Sequence, residues 1–512
     1  MIQRLYRLLL LFCSIAVFAA CSDSDGNDNN GGNGGEIVPD GGDTYGYVTG
    51  ANGNPVPGVV VSDGFTCTQT DAEGQYVLTR NAESGFVFYS LPSGYKVNMH
   101  KTYKLPKFFT KLKPETARYD FTLTALDAPE TRFDLICIGD PQINEAAHAV
   151  RFKREAAKDI REYSSSADIP CYAIHLGDLV NNKWALYSNM VVALQPEQTG
   201  IPVFSTIGNH DHEFPTADEK AARAKYESYF GPVDYSFNRG DVHVVSMDNV
   251  IHSCKASADY EGGFTAAQYA WLKQDLSFVP KDKMVILCVH IPFRGGWGTN
   301  SAHADADKYY DEVLDLLSQY EYAAIMSAHT HSNINYIHRK NGKEIFEHVT
   351  GTTCGAWWRS TVCTEGTPIG FGLYRIDGNR MEEWAYRSVR HDEQFQIRLY
   401  RASDTFVGGA KYRFKQTGAD QIVANIWNWD PSWTVNVYEN DVLSGQMTRN
   451  SDIDAWTVAY HIGLLNNTDS YRKSSDHMFH YTLKNPAAAV RVEAIDRFGN
   501  KYEQTVFTDP AE

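Results

Sequence analysis

The sequence predicts an α/β protein: a layered central unit between two all-β modules. Across residues 130–390, short apolar runs alternate with stretches of helix-forming composition, the pattern of strands and helices stacked in layers. On either side, from 44 to about 126 and from 391 onward, brief alternating runs are divided by Gly, Asn and Pro turns, as in antiparallel sandwiches. At 512 residues the chain also exceeds what one core organises, so several domains are expected.

Composition excludes some functions. Ten Trp, thirty Tyr and twenty-five Phe within 43% hydrophobic residues argue for folded, aromatic-rich domains. A formal charge of -16 gives no support to a nucleic-acid partner, which needs a basic stripe. The acidity reads as solubility.

The first residues read as an export signal. Arg4 and Arg7 precede an apolar stretch over 8–20 that is short for a bilayer span, and Cys21 follows Phe18-Ala19-Ala20. Small residues before a cysteine resemble the lipobox of bacterial lipoproteins, with Phe18 where Leu is usual. The resemblance implies cleavage before Cys21 and acylation of its thiol; an ordinary signal peptide cut near Ala20 is the alternative. SDSDGNDNNGGNGGE then reads as an acidic, disordered tether, similar to surface-export signals of Gram-negative lipoproteins. The expected location is the bacterial cell envelope, lipid-anchored at the outer membrane. The expected divisions are a signal over 1–20, the tether over 21–43, a β-sandwich over 44–128, the central domain over 130–390 and a second sandwich over 391–512.

Seven cysteines remain after Cys13 and Cys21. Cys137, Cys171 and Cys288 lie in apolar strands as small hydrophobes. Cys354 and Cys363 flank a short loop and are open to bridging, and the absence of a C-x-x-C spacing gives a zinc-cysteine site no support. In the amino-terminal module, Pro55-Val56-Pro57-Gly58-Val59, Thr70-Asp71 and Gly74-x-Tyr76 resemble carboxypeptidase-regulatory-like sandwiches, which serve as spacers or assembly surfaces.

The central unit carries the chemistry. IPVFSTIG is an apolar run with strand composition that stops at Gly208 and delivers Asn209-His210-Asp211. Four more runs share this design. FDLICIG delivers Asp140-Pro141-Gln142, CYAIHLG delivers Asp178, MVILCV delivers His290 and AAIMSA delivers His329-Thr330-His331. VHVVSM is a further strand, and VRFKREAAKDIREYSS, EKAARAKYESYF and YAWLKQDL read as helices. Ligands gather at the carboxyl edge of such sheets. Each cluster alone has a plain explanation: a turn, a helix cap, a core histidine. Together, carboxylates, imidazoles and an amide at successive strand ends form the donor set of borderline divalent metals.

These blocks resemble the calcineurin-like metallophosphoesterase superfamily: D-x-H, G-D-x-x-D/N, G-N-H-D/E, a lone His after a strand, and G-H-x-H. They stand here as Asp140-Pro141-Gln142, Gly177-Asp178-Leu179-Val180-Asn181, Gly208-Asn209-His210-Asp211, His290 and Ala328-His329-Thr330-His331. The resemblance implies a central αββα unit with flanking sandwiches. It also implies two divalent ions (Mn, Fe or Zn) and hydrolysis of phosphate esters by the hydroxide they generate. Asp140, Gln142 and His331 would hold one ion, Asn209, His290 and His329 the other, with Asp178 shared and Asn181 a brace. His210 would be the general acid, its imidazole protonated and oriented by Asp211. Two positions depart from the pattern: Gln142 stands for His, and Ala328 for Gly.

Substrate contacts are expected from Arg294 and Trp297 in HIPFRGGWG, where Arg suits a phosphate and a surface position is the alternative. Trp357 and Trp358 in GTTCGAWWRS either stack on a substrate ring or seal a flanking β-domain. In the last module FQIRLYRAS, QIVANIWNW, WTVNVYEN, WTVAYHIG and AVRVEAIDRFGNKYEQTVF read as strands, with Trp427, Trp429 and Trp433 in the core or facing a carbohydrate. The expected partner is a phosphorylated small molecule, glycan or lipid headgroup. Diesterase or pyrophosphatase activity is the alternative to monoesterase activity. A surface binding protein with a degenerate site is the alternative from another class.

Overall fold

The computed structural model describes residues 38–294, 308–403, 420–467 and 473–507. Cys21 and Trp297 lie outside the described residues. Two sheets face each other at the centre. The first contains β1 (Arg132–Ile138), β2 (Cys171–Leu176) and β3 (Val203–Thr206), which run parallel. The second contains β4 (Tyr235–Arg239), β5 (Val242–Ser246), β6 (Met284–Cys288), β7 (Tyr322–Ser327), β8 (Ile334–Lys340) and β9 (Lys343–Val349). Here β5, β6, β7 and β9 are mutually parallel. The first sheet is completed by β10 (Gly370–Asp377) and β11 (Arg380–Ser388), so its order is β3-β2-β1-β10-β11; the second is β4-β5-β6-β7-β9-β8.

Strand alternation sorts the side chains. Phe133, Leu135 and Cys137 of β1 enter the core between the sheets, while Ile136 and Ile138 face the helices. The sheets meet through Phe204 of β3 and Phe237 of β4, whose rings stack at 3.9 Å, and through Thr206 and Ser246, whose hydroxyls share a 2.9 Å hydrogen bond. Helix α1 (Ala146–Phe152) passes through a π turn (Lys153–Ala157) into α2 (Lys158–Ser166), burying Phe152, Ala156 and Ile160 on the first sheet. Helix α3 (Glu219–Phe230), capped by Asp218, adds Tyr226 and Phe230 there. Helices α4 (Ala266–Ser277) and α5 (Tyr310–Leu317) pack with the second sheet through Trp271, Leu272, Val313 and Leu317. The result is the expected αββα order. No helix among the described residues is long and apolar enough to cross a membrane.

A three-stranded and a four-stranded sheet form the amino-terminal module, which rests on α4 through a Trp271 Nε1–H bond to Ser62 Oγ (3.0 Å). Two four-stranded sheets form the carboxy-terminal module around Trp433, Val437, Phe479 and Val492. Trp427 and Trp433 are buried and Trp429 packs on that core, so these tryptophans are core residues.

One expected strand is corrected. WTVAYHIG is helical, α6 (Ala455–Val458) continuing into a π turn (Ala459–Leu464). Its apolar pattern suits either period, and the decisive signal is Asp454, whose carboxylate accepts the Trp456 amide at 3.0 Å as an N-cap.

Candidate metal centre

The parallel strands of both sheets finish at one edge, and the turns beyond them converge. Asp140 and Gln142 follow β1, Asp178 follows β2, Asn209 follows β3, His290 follows β6, and His329 and His331 follow β7. The turns are tight: Asp140, Gln142, Asp178, His329 and His331 have φ of 36°, 37°, 57°, 65° and 54°. Such left-handed backbone costs a non-glycine residue of order 1–3 kcal/mol and clusters at functional sites. Two glycines permit the approach. A Cβ on Gly177 would lie 2.3 Å from His290 Nδ1, and one on Gly208 would lie 2.3 Å from the Asp178 amide nitrogen. Ala328 is buried at an ordinary φ, so its methyl is accommodated.

Asp178 is fully buried and stands between two groups of donors. Its Oδ2 accepts the Gln142 side-chain amide at 2.7 Å; its Oδ1 accepts the His210 backbone amide at 2.9 Å and lies 3.4 Å from His290 Nε2. On one side, Asp140 Oδ1, Gln142 Oε1 and His331 Nδ1 are buried with no hydrogen-bond partner among the described residues. Buried polar atoms left without a partner are costly, and a carboxylate, an amide carbonyl and an imidazole are donors that suit a cation. On the other side, His290 Nδ1–H donates to the Leu176 carbonyl at 2.8 Å, which turns Nε2 toward Asn209 Oδ1 (3.0 Å) and His329 Nδ1 (3.1 Å). Ligand atoms of Asp178, His290 and His329 lie within 4.8 Å of one another.

The charges agree. Asp140 is pushed well above the carboxylate range by burial, with further upward pressure from the charges of Asp178 and Asp211. Burial opposes ionisation of Asp178 too, yet His290 and His210 hold it well below that range. Burial takes His331 down to about 3; it also opposes protonation of His290, but Asp178 and Asp140 raise that ring to about 9. Converging lone pairs with an unmet demand for positive charge suit divalent metal ions, and carboxylate, carbonyl and imidazole are their usual donors.

One expected role is corrected. Asp211 does not orient the His210 imidazole. Its buried carboxylate accepts the backbone amides of Gly208 (3.0 Å), Leu179 (3.2 Å) and Val180 (3.3 Å), tying the Asp178 loop to the Asn209 turn. The partner of His210 Nδ1 is Asn182 Oδ1 at 2.9 Å, and Asn182 Nδ2 donates to Ser257 Oγ at 2.9 Å. Asn181 contributes a backbone bond to the Ile143 carbonyl (2.9 Å).

The two tryptophans divide. Trp358 donates Nε1–H to the Pro141 carbonyl (2.7 Å) and stacks on His148 of α1, so it braces the β1 turn within the central unit rather than sealing a flanking module. Trp357 is half-buried with its ring 5.0 Å from that of His331. Arg294 is exposed, its guanidinium over the ring of Tyr336 on β8. Cys354 and Cys363 are buried free thiols. Sequence reasoning missed Asn182 and Asn249. Asn249 Oδ1 accepts the amides of His290 (3.1 Å) and Ile291 (3.0 Å), and Asn249 stands two residues beyond VHVVSM, a strand end whose polar residues are the available signal.

Comparison with known proteins places these residues in a family context. The model described as calcineurin-like phosphoesterase matches residues 133–333, and the models described as its N terminal and C terminal match 42–126 and 347–502. Purple acid phosphatase 23 of Arabidopsis thaliana is 25% identical over 180 residues, 32% of this chain and 36% of the relative. Purple acid phosphatase 18 of the same plant is 26% identical over 191 residues, 34% and 40% of the two chains. The chain thus spans about two-fifths or less of the length of these relatives. Among solved structures, the purple acid phosphatase PPD1 of yellow lupin (Lupinus luteus) is similar over 52% of this chain and 53% of its own, at 15% identity and a TM-score of 0.37.

Proposed function

We propose that this chain, which belongs to the calcineurin-like phosphoesterase superfamily, hydrolyses phosphate esters of small molecules with two divalent metal ions. The observation that carries the reading is the buried Asp178–His290–His329 cluster, whose ligand atoms lie within 4.8 Å of one another, with Asp140 Oδ1, Gln142 Oε1 and His331 Nδ1 buried and without hydrogen-bond partners among the described residues. Asp140, Gln142 and His331 would hold one ion and Asn209, His290 and His329 the other, with Asp178 shared; Mn, Fe or Zn suits these donors. When bound, such a pair acidifies a water and neutralises phosphoryl oxygens.

The remaining work falls to the chain itself. Because Asn182 Nδ2 is committed to Ser257, its oxygen faces His210 and holds a proton on Nδ1. In the imidazolium form, Nε2–H is then the proton that passes to the leaving oxygen, making His210 the general acid. The half-buried Trp357 ring, 5.0 Å from that of His331, is the candidate contact for the organic part of the ester. Monoesters are the favoured substrates and diesters the alternative. Export and anchoring through Cys21 belong to the same proposal, supported by Arg4, Arg7 and the apolar 8–20 stretch; a chain that takes up no labelled fatty acid at Cys21 overturns the anchoring, and one recovered from the cytoplasm overturns the export.

Metal analysis of the purified chain, with turnover of para-nitrophenyl phosphate and of its bis-ester, tests the reading. Two ions per chain and preferential cleavage of the monoester are expected. A metal-loaded chain that cleaves neither ester ends the hydrolase assignment in favour of a binding protein.

A further inference from the structure

The loop carrying His329 and His331 is held from outside the central unit. Lys473, just before the strand Ser474–Thr482 of the carboxy-terminal module, sends its ammonium across to the Thr330 carbonyl and to Ser332 Oγ, both at 2.7 Å. Thr330 lies between the two histidines, so this contact bears directly on the backbone that aims them. The next residues are gripped from the same side. Asn333 Nδ2–H donates to the Trp427 carbonyl at 2.8 Å, and Asn335 Nδ2–H to the Asn428 carbonyl at 2.9 Å. The Asn333 amide donates to Glu365 Oε1 at 3.0 Å, and Glu365 in turn faces His477 of the module, 3.9 Å away.

Left-handed backbone is the reason such a grip is needed. His329 and His331 both occupy positive φ with Thr330 between them, a conformation a free loop would relax out of. The central unit offers the Ala328 amide bond to the His290 carbonyl (3.0 Å) and the His329 amide bond to Asp140 Oδ2 (3.0 Å), which fix the loop's entrance. Its exit rests on the carboxy-terminal module together with Glu365 of the central unit. A charged donor on a backbone carbonyl in a half-buried setting is among the stronger single contacts available.

We infer that the carboxy-terminal module is a working part of the metal centre, and that Lys473 is a positioning residue that clamps the His329–His331 loop. The clamp rests on the reading of those histidines as ligands, and it predicts a defect on the Asp140–Gln142–His331 side, since His331 is the ligand next to Ser332. The module is therefore more than a spacer: the edge where the loops meet is completed by a lysine 143 positions beyond Thr330 in the chain.

The test uses the full chain with Mn2+ alone as probe, followed by its paramagnetic resonance, together with hydrogen exchange of residues 328–335 read by mass spectrometry. Lys473→Met should weaken one of the two Mn2+ sites by about 10–100-fold, the size of outer-contact effects on metal affinity. It should also speed exchange in 328–335 by about tenfold through local opening, while residues 134–142 stay as in the wild type. Ser332→Ala removes one acceptor without a large cavity and should show a smaller change of the same kind, and Lys473→Arg should restore part of both readouts. Unchanged exchange and unchanged Mn2+ affinity in Lys473→Met or in Ser332→Ala overturn the clamp. Faster exchange in a chain whose wild type binds no Mn2+ keeps the clamp and overturns the metal reading instead.

Discussion

Gln142 donates its side-chain amide to Asp178 at 2.7 Å, so the residue that stands for an imidazole is tied to the carboxylate between the two donor groups. Its carbonyl oxygen is buried with no hydrogen-bond partner among the described residues. Gln142→Leu keeps much of the volume and removes both functions. Isothermal titration with Mn2+ should show the Asp140–His331 site weakened at least about tenfold, a typical loss when a partner of a ligand is removed.

Gly208 has no room for a methyl. A Cβ there would stand 2.3 Å from the Asp178 nitrogen and 2.4 Å from its Oδ1. Gly208→Ala is expected to cost about 1–3 kcal/mol of stability, as overpacking does, read by urea denaturation. Turnover should fall further than stability alone explains, because the displaced group is Asp178, the carboxylate between the two groups of donors.

His210→Ala should lower kcat by about 10²–10⁴-fold, the usual reach of general acid–base catalysis, while metal content stays at the wild-type level. Asn182→Ala should lower kcat in the same direction by less, since Asn182 Oδ1 lies 2.9 Å from His210 Nδ1 and orients the ring. A wild-type kcat in His210→Ala would remove the acid role.

Asp211 belongs to stability. Alanine there strands the amides of Gly208, Leu179 and Val180 inside the protein. Each buried unsatisfied group costs about 1–3 kcal/mol. Thermal melting of Asp211→Ala should therefore show a large drop in Tm. Asp211→Asn, which retains one acceptor oxygen, should fall less.

The buried His212–Asp248 pair, 3.1 Å apart, makes stability depend on pH. Burial opposes the charge on both groups, yet Asp248 raises the His212 pKa and His212 lowers that of Asp248. The histidine contribution is complete below its unfolded pKa and fades as pH rises through the raised folded value. The carboxylate contribution is complete above its unfolded pKa and fades as pH falls through the lowered one. The Tm difference between wild type and His212→Gln should thus peak between about pH 4 and 6.5, bounded by the ordinary values of the two groups, and shrink above that window.

Much of the fold and the site is legible in the chain because parallel strands announce themselves as unbroken apolar runs, and the residues just past each run sit at one shared edge. FDLICIG, CYAIHLG, IPVFSTIG, MVILCV and AAIMSA all form strands, and EKAARAKYESYF is a helix over its full length. Contacts made between loops are not legible. Asn182 meets His210 across 28 positions and Asn249 meets His290 across 41, and no local period records such pairings. Adjacency in sequence assigns Asp211 to His210, whereas the tight turn sends its carboxylate back to Gly208. WTVAYHIG passes for a strand when apolar alternation is weighed ahead of the cap at Asp454.

The positive φ angles at Asp140, Gln142, Asp178, His329 and His331 bear on how this protein responds to selection. Glycine at His331, whose Nδ1 has no hydrogen-bond partner among the described residues, would relieve about 1 kcal/mol or more of backbone strain, so a laboratory screen that rewards heat resistance alone will gain by deleting that side chain. Asp140 and Asp178, by contrast, are kept by the buried amides they accept. Durable variants from such a screen should carry Gly at position 331 and have lost activity. A hardening campaign has to hold His331 fixed and look for its gains elsewhere.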